Sequence, residues 1–361
     1  ADGTITTDPS DMAKELKHHW AKVFTEKGID SNLLETSLSE EEEDTNMMNQ
    51  RLRELSGIRF RKRHFLAAIR NSNNSVPGPA GIPYGVWRCC LKLGAEILYE
   101  AVKSITHGAA QGLNEEEAIE FNHSLLFFLA KAPSGTTDEG EGYFTPEGTR
   151  PLNVGNTDNR LICNAIRGAV EPALAKIIFP WQRGFIGGRS LIANLVDIDS
   201  EMLETTFISE AGGAIFFDFA AAFPSIEHEF MKKILQRFHL PVWVSNFFDI
   251  IYKNYCTMVV GGRKREGFDI SRGIRQGCPV SPFLFAYSLD IFMRRALRLT
   301  PSITIRAYAD DLAIVSKDIW KDLKTLEPIF TELEGVAGLA LNLKKTVLVL
   351  LFTKRRKLEI H

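Results

Sequence analysis

The sequence predicts an α+β fold, a sheet with helices laid against one face. Three observations carry that expectation. Ala214-Ile-Phe-Phe-Asp-Phe219 is a short apolar, aromatic run after Gly212-Gly213, which reads as a buried strand. Ile303–Tyr308 and Leu312–Val315 flank Ala309-Asp310-Asp311, a strand–turn–strand hairpin with acids at its tip. Between and after these lie helical stripes, apolar nearly all round over the first half of 281–297 and one-sided over 320–336.

Taken in order, residues 1–55 are polar with helical tendency and end in the acidic run Glu40–Asp44, read as a solvated linker. From Arg51 to Arg70 the chain turns basic, with Arg51, Arg53, Arg59, Arg61, Lys62, Arg63 and Arg70 among apolar residues. That pattern has two readings, a helix with a charged face or a surface that contacts backbone phosphates. Ser75–Pro83 is a turn-rich connector that cannot continue a helix. Glu115–Leu129 is expected as one helix, with Ile119, Leu125, Leu126 and Leu129 on its apolar side, and 133–149 as a loop rich in Gly and acid. Ser225–His239 carries Phe230, Met231, Ile234, Leu235 and Phe238 at helical spacing. Ser281-Pro282 reads as an N-cap followed by proline at the first helical position. Thr346–Phe352 closes the chain's pattern as a strand.

Composition narrows the function classes. With 361 residues, 24% charged, 45% hydrophobic, 27 Gly and 15 Pro, the chain is neither collagen-like, nor disordered, nor a small disulfide framework. Its length allows two or three subdomains. The 43 Lys+Arg against 45 Asp+Glu give a formal charge of −2, so a nucleic-acid site has to be a local patch. Five cysteines without a C-x-x-C fit reduced, mostly buried thiols in an intracellular protein. No run of ~18 apolar residues and no basic-then-apolar leader is visible, so no membrane partner is expected.

The acids carry the chemistry. Strand alternation puts Ile215, Phe217 and Phe219 on one face and Phe216 and Asp218 on the other. A carboxylate in so apolar a strand is costly unless paired or bound to a cation. Singly, Asp218 is explained as a turn former or salt-bridge partner, and Asp310-Asp311 as ordinary hairpin residues. If the two strands are neighbours, three carboxylates converge and raise one another's pKa until cations neutralise them. Hard divalent ions prefer such oxygen ligands, and Mg²⁺ commonly takes one or two carboxylates plus substrate phosphates.

Phe217-Asp-Phe-Ala-Ala-Ala-Phe223, Arg275-Gln-Gly-Cys-Pro-Val-Ser-Pro282 and Ala307-Tyr-Ala-Asp-Asp-Leu312 occur in that order. They resemble the three core motifs of reverse transcriptases, most closely those of the non-LTR (LINE-type) retrotransposons. Pro77–Pro83, Arg150-Pro-Leu152, Gln182-Arg-Gly-Phe185 with Gly188-Arg-Ser190, and Gly338-Leu-Ala-Leu-Asn342 with Lys345-Thr346 resemble further family segments. Ala80 stands where the family usually has Asp. The resemblance covers about residues 57–350.

The resemblance implies a right-hand polymerase fold of fingers and palm, with an antiparallel palm sheet backed by helices. On that plan, 1–56 is an N-terminal helical extension, 57–189 fingers, 190–228 the first palm segment, 229–279 a fingers/palm connection and 280–361 the rest of the palm. A thumb is not expected within this length, nor are endonuclease or RNase H elements. The implied activity is RNA-directed DNA synthesis, adding a dNTP to a primer 3′-hydroxyl on an RNA template with a DNA primer. Asp218, Asp310 and Asp311 would hold two Mg²⁺ ions, with Mn²⁺ as a substitute, and the Phe219 carbonyl would reach one of them. Arg150, Arg160, Phe223, Gln276, Gly277 and Lys345 would form the nucleotide pocket, with Phe223 under the deoxyribose and Arg160 where Lys is common. Arg59, Arg61 and Arg63 are the candidate nucleic-acid contacts. The expected compartment is intracellular, the nucleus for a mobile-element protein, with an organelle as the other option. The rival reading is a catalytically retired relative that serves as a structural or RNA-binding subunit of a larger assembly with protein partners.

Overall fold

A computed structural model describes residues 5–39, 53–107, 113–237 and 239–352. The acidic run Glu40–Asp44 and Arg51 lie outside them. Two four-stranded sheets organise the described residues.

The first is antiparallel throughout, in the order β10 (Val347–Leu351), β5 (Gly212–Phe217), β9 (Asp311–Ser316), β8 (Thr304–Tyr308). Ile215, Phe217, Leu312 and Ile314 point to one face and join the main core. Helices α12 (Ser281–Leu299) and α13 (Ile319–Ala337) cover that face, Phe217 and Phe330 meeting at 4.5 Å between ring centres. Helix α12 is buried along most of its first three turns, as its nearly continuous apolar sequence requires. Its N-cap is Val280, so Ser281 is the first helical residue rather than the cap. Helix α13 starts on Asp318, whose carboxylate accepts from the Lys321 N–H, and stops at Gly338 with φ of 73°.

The expected one-sided layering needs correction. Helix α8 (Leu191–Ile208) lies on the other face, where Ala214, Val315 and Leu351 pack with Ile198 and Met202. Along β5 one face is buried under α12 and α13 and the other is covered by α8 at Ala214, while Phe216 beside the acids stays exposed.

The second sheet runs β4 (Thr149–Gly155), β1 (Ser124–Ala130), β6 (Asn254–Val260), β7 (Arg263–Ile270). Here β1 pairs antiparallel with β4 and parallel with β6. The helix expected over 115–129 is therefore two elements, α6 (Glu115–Asn122) and β1, separated by His123. A continuous run such as Ser124-Leu-Leu-Phe-Phe-Leu-Ala130 has no period, and burial between two strands decides it. Within the expected 133–149 loop sits a small hairpin, β2 (Gly135–Thr136) and β3 (Gly142–Tyr143). Helix α1 (Pro9–Phe24) roofs this sheet with Leu16, Trp20 and Phe24 against Cys256, Met258 and Phe268. The Trp20 indole donates to Thr149 Oγ1 at 3.1 Å, so the N-terminal helix is fixed to β4.

The long helix α7 (Thr157–Ile177) passes through the main core, together with α3 (Lys62–Arg70), α5 (Leu91–His107), α10 (His228–Arg237) and α11 (Val242–Ile251). No helix among the described residues is long and apolar enough to cross a membrane.

Candidate active site

Asp218 follows β5 directly, and Asp311 opens β9. Phe217 pairs with Leu312 in the antiparallel register, so the next step along both strands brings Asp218 level with Asp311. On the other side Asp311 pairs with Tyr308, and Asp310 sits in the turn between them. The acids feel one another. Burial lifts the Asp310 carboxyl above its usual range, and the neighbouring Asp311 and Asp218 lift it further. Partial desolvation does the same to Asp311, with Asp218 adding to it. Asp218 is held differently: its Oδ2 accepts from the Asn342 side-chain amide at 2.9 Å, and its carbonyl accepts from the Asn342 N–H at 2.7 Å.

Phe219 bridges to Leu341, and the hydrogen bonds of that bridge come from the flanking residues, Asn342 N–H to Asp218 and Ala220 N–H to Ala340. The Phe219 carbonyl is thus left outside this ladder, on the same turn of chain as Asp218.

The hairpin tip is set from outside. Ala309 has φ of 58°, a conformation that costs an L-residue energy unless its surroundings impose it. The imposing group is Gln182, which is fully buried. Its Nε2 donates to the Ala309 carbonyl at 3.0 Å, and its Oε1 accepts from the Ala309 N–H at 2.9 Å. The same oxygen accepts from the Gly184 N–H at 2.9 Å. Gly184 is required here, because a Cβ would lie 2.0 Å from the Ala309 nitrogen. Asn194 of α8 adds a bond to the Ala307 carbonyl at 2.8 Å. The Gln-Arg-Gly-Phe segment, visible in the sequence only as a family resemblance, is the clamp that fixes the acid-bearing turn.

Opposite charges come from the second sheet. Arg150 on β4 is exposed and lowers the Asp310 carboxyl's pKa. Lys131, one residue past β1, was not singled out from the sequence. Desolvation pulls its ammonium below the usual lysine range, Lys345 and Arg150 pull the same way, and Asp218 opposes them. Three cations and the acids therefore share one field. A lysine closing a strand that begins in the core is the signal that could have found Lys131, had β1 been recognised as a strand.

The remaining candidates divide. The Gln276 carbonyl accepts from the Asn153 N–H at 2.9 Å, and Gly277 takes φ of 105° where a Cβ would meet the Asn153 carbonyl at 2.6 Å. Their loop is thereby seated on β4, the strand that carries Arg150. Phe223 is half-buried and stacks on Phe285 at 4.7 Å with ring planes 6° apart. Arg160 is directed elsewhere: its guanidinium donates to Ser75 Oγ at 3.1 Å and the Val76 carbonyl at 2.5 Å and lies over the Tyr84 ring. It pins the Ser75–Pro83 connector. Arg59, Arg61 and Arg63 are exposed, well away in sequence from the acids, and Arg59 already donates to the Ser56 and Ile58 carbonyls.

The donor set at the acids is oxygen only, which suits a hard divalent cation, and burial first, then the neighbouring acids, lifts the Asp310 and Asp311 carboxyls, a charge cost that a cation would offset. Among the described residues no group of three or more His, Cys, Asp or Glu stands ready to hold a metal ion, so the three acids offer only a partial ligand set. Such a site fits an ion that also takes oxygens from its substrate.

A family model described as reverse transcriptase (RNA-dependent DNA polymerase) matches residues 137–360. The chain belongs to this family. The match takes in Asp218, Asp310, Asp311 and the Gln182 clamp. Among curated relatives, a Pol polyprotein of the type-1 retrotransposable element R2 from Popillia japonica is 27% identical over 219 residues, 56% of this chain and 29% of the relative. Its counterpart from Nasonia vitripennis is 26% identical over 222 residues, 56% of this chain and 21% of the relative. An uncharacterized 149 kDa protein of transposon TX1 from Xenopus laevis is 25% identical over 183 residues, 47% of this chain and 14% of the relative. The chain thus spans less than a third of the length of each. These similarities place it among the non-LTR reverse transcriptase domains, with the α+β fingers–palm fold that the motifs imply. Reverse transcriptases generally use divalent metal ions.

Proposed function

We propose that this reverse transcriptase domain performs RNA-directed DNA synthesis, adding a dNTP to the 3′-hydroxyl of a DNA primer on an RNA template. The observation that carries the reading is that the three acids and three cations act on one another in a single field. Asp218 and Asp311 stand level on adjoining strands with Asp310 beside them, and Arg150, Lys131 and Lys345 share their field. Two bound Mg²⁺ ions, or Mn²⁺ in their place, would supply Lewis-acid charge to the reacting phosphate and lower the pKa of the attacking hydroxyl. Asp218, Asp310 and Asp311 would hold them, with the free Phe219 carbonyl as a further oxygen.

The chain's own residues do the rest. Arg150, Lys131 and Lys345 attract the triphosphate and offset the charge that builds on it. The Gln276–Gly277 loop, seated on β4, lines the base side of the pocket. Phe223 presents a ring whose position is fixed by stacking on Phe285, and a fixed ring beneath the sugar excludes a ribose 2′-hydroxyl by overlap. Arg160 acts one step back, holding the connector rather than the nucleotide. Arg59, Arg61 and Arg63 offer a basic surface for the template backbone.

The test is extension of a DNA primer on an RNA template by the purified chain, with Mg²⁺ or Mn²⁺ added. Extension is expected with either metal, abolished by Asp218→Asn while circular dichroism stays native. A folded chain that binds RNA yet extends no primer under either metal would overturn the assignment in favour of a retired scaffold. In an active chain, Phe223→Ala is expected to raise ribonucleotide use relative to deoxynucleotide use by roughly 30-fold or more, about 2 kcal/mol at 1.36 kcal/mol per tenfold.

A further inference from the structure

One short segment, the turn between α13 and β10, holds both the backbone and the carboxylate of Asp218. The Asn342 N–H donates to the Asp218 carbonyl at 2.7 Å, and the Asn342 Nδ2 donates to Asp218 Oδ2 at 2.9 Å. In return the Asp218 N–H donates to Thr346 Oγ1 at 3.4 Å, and that hydroxyl donates to the Asn342 carbonyl at 3.1 Å. The Lys345 and Thr346 N–H groups close the turn on the same carbonyl, at 3.0 and 2.9 Å. Its base is anchored too. The Gly338 carbonyl accepts from Arg272 Nη2 at 2.9 Å, and Arg272 is itself buried and paired with Glu227 at 2.8 Å. These bonds set the Asn342 backbone beside Asp218 and aim its short side chain at the carboxylate.

The chemistry of that donor separates Asp218 from other acids in the molecule. Asp197 is paired with Arg183 and Arg306, Glu227 with Arg272, and Asp290 with Arg294. Asp218 receives a neutral amide instead. A guanidinium would orient the carboxylate and also cancel its charge. An amide orients it and leaves the whole charge for a cation. Among the described residues no donor is bonded to Asp218 Oδ1, so that oxygen is the open one.

We propose that Asn342 is a positioning residue for the cation site, its amide taking Oδ2 of Asp218 so that Oδ1 is presented to a divalent ion. The inference rests on the metal-dependent reading above and names the residue that orients one of its ligands. Hydrogen bonds of this kind fix a ligand in one orientation, and their loss typically costs about 10–100-fold in metal affinity. Thr346 supplies the comparison, because its hydroxyl meets Asp218 at the backbone N–H and leaves the carboxylate alone.

The test is a Mn²⁺ titration of the full chain without nucleotide, followed by the EPR signal of the free ion. Asn342→Ala is expected to weaken binding by about tenfold, and Thr346→Val by less than about twofold, with circular dichroism native in both. Asn342→Ser, which is also too short to reach Oδ2, is read by the same criterion if the Ala variant does not fold. In primer extension, Asn342→Ala should need roughly tenfold more Mg²⁺ for half-maximal rate and recover when it is supplied. Asp218→Asn should not recover at any Mg²⁺ concentration. Equal losses in Asn342→Ala and Thr346→Val would make the turn a structural brace and overturn the proposal, as would wild-type affinity in Asn342→Ala. The Asp218→Asn control keeps the two readings apart. If it binds Mn²⁺ as the wild type does, the cation site is not at Asp218 and both readings fall. If it loses binding while Asn342→Ala keeps it, only the role of Asn342 falls.

Discussion

The two sheets deliver charge to the same field in opposite ways. The β10-β5-β9-β8 sheet supplies short carboxylates, and its presentation is rigid: Asp218 is bonded to Asn342 by backbone and side chain, and the Asp310 turn is gripped by Gln182. The β4-β1-β6-β7 sheet supplies Arg150 and Lys131 on long side chains reaching from strand ends, Arg150 exposed and the Lys131 ammonium donating to the Glu147 carbonyl at 3.3 Å. Groups that must hold a fixed separation sit on short side chains with buried supports. Groups that must follow a charged substrate sit on flexible stems. Like charges gathered on one sheet cost stability, and opposite charges placed on another sheet relieve them without collapsing onto them.

Breaking the rigid side should have the largest effect. Gln182→Ala leaves the Ala309 N–H and carbonyl and the Gly184 N–H without partners in a buried site. At about 1–3 kcal/mol per stranded group, and with partial relaxation, a loss of roughly 3 kcal/mol is expected in urea unfolding. Primer extension should fall more than about 100-fold under conditions where the variant is still folded. A variant that unfolds at the wild-type midpoint would remove the clamp from the account.

The flexible side should give a smaller and different change. Lys131→Ala or Arg150→Ala removes one charge-assisted contact to phosphate, worth about 1.5–3 kcal/mol, so KM for dNTP is expected to rise roughly 10–100-fold. Thermal stability should hold. If KM stays put in both variants, the cations belong to the fold and not to the substrate.

The smallest effect sharpens the contrast by its sign. The Asp310 carboxyl is raised by burial and by its acidic neighbours, so the native state binds its proton more tightly than the unfolded chain. Its contribution to stability is present below the ordinary value of 3.8 and is lost as pH rises through the raised one. At pH 7 the charge is a net cost. Asp310→Asn is therefore expected to raise the unfolding temperature by about 1–2 °C while ending catalysis, and the gain should vanish near pH 4. A lower melting temperature at pH 7 would mean that the carboxylate has a stabilising partner.

How much of this could be read from the chain follows from the distance over which each feature is encoded. The acid-bearing sheet is local: β8, the turn and β9 are consecutive, and α12 and α13 flank them. Their periods of two and 3.6 are visible in short windows. Asp218 stood out because a carboxylate inside an aromatic strand demands a partner. The second sheet is non-local. Ser124 of β1 lies level with Cys256 of β6 in a parallel pairing that no window contains, and β1 itself shows an unbroken apolar run. Missing β1 meant missing Lys131. The Gln182 clamp was invisible for a related reason, since nothing near residue 182 announces a bond to Ala309. Arg160 shows the converse, a charged residue at a family position whose bonds here run to its own connector, which nothing in its neighbourhood of sequence announces.

The register between β5 and β9 also settles what two consecutive aspartates mean. Because Phe217 stands opposite Leu312, the residue that comes level with Asp218 is Asp311, and Asp310 is left to the turn. Successive side chains point to opposite sides, so the two acids occupy addresses that are not interchangeable. A slip of one residue would hand Asp311's place to Leu312 or to Asp310, and would move every apolar side chain of β9 to the wrong face. The doubled aspartate is thus not a spare copy. It is a two-letter word read in one frame, and the buried faces under α8, α12 and α13 keep that frame.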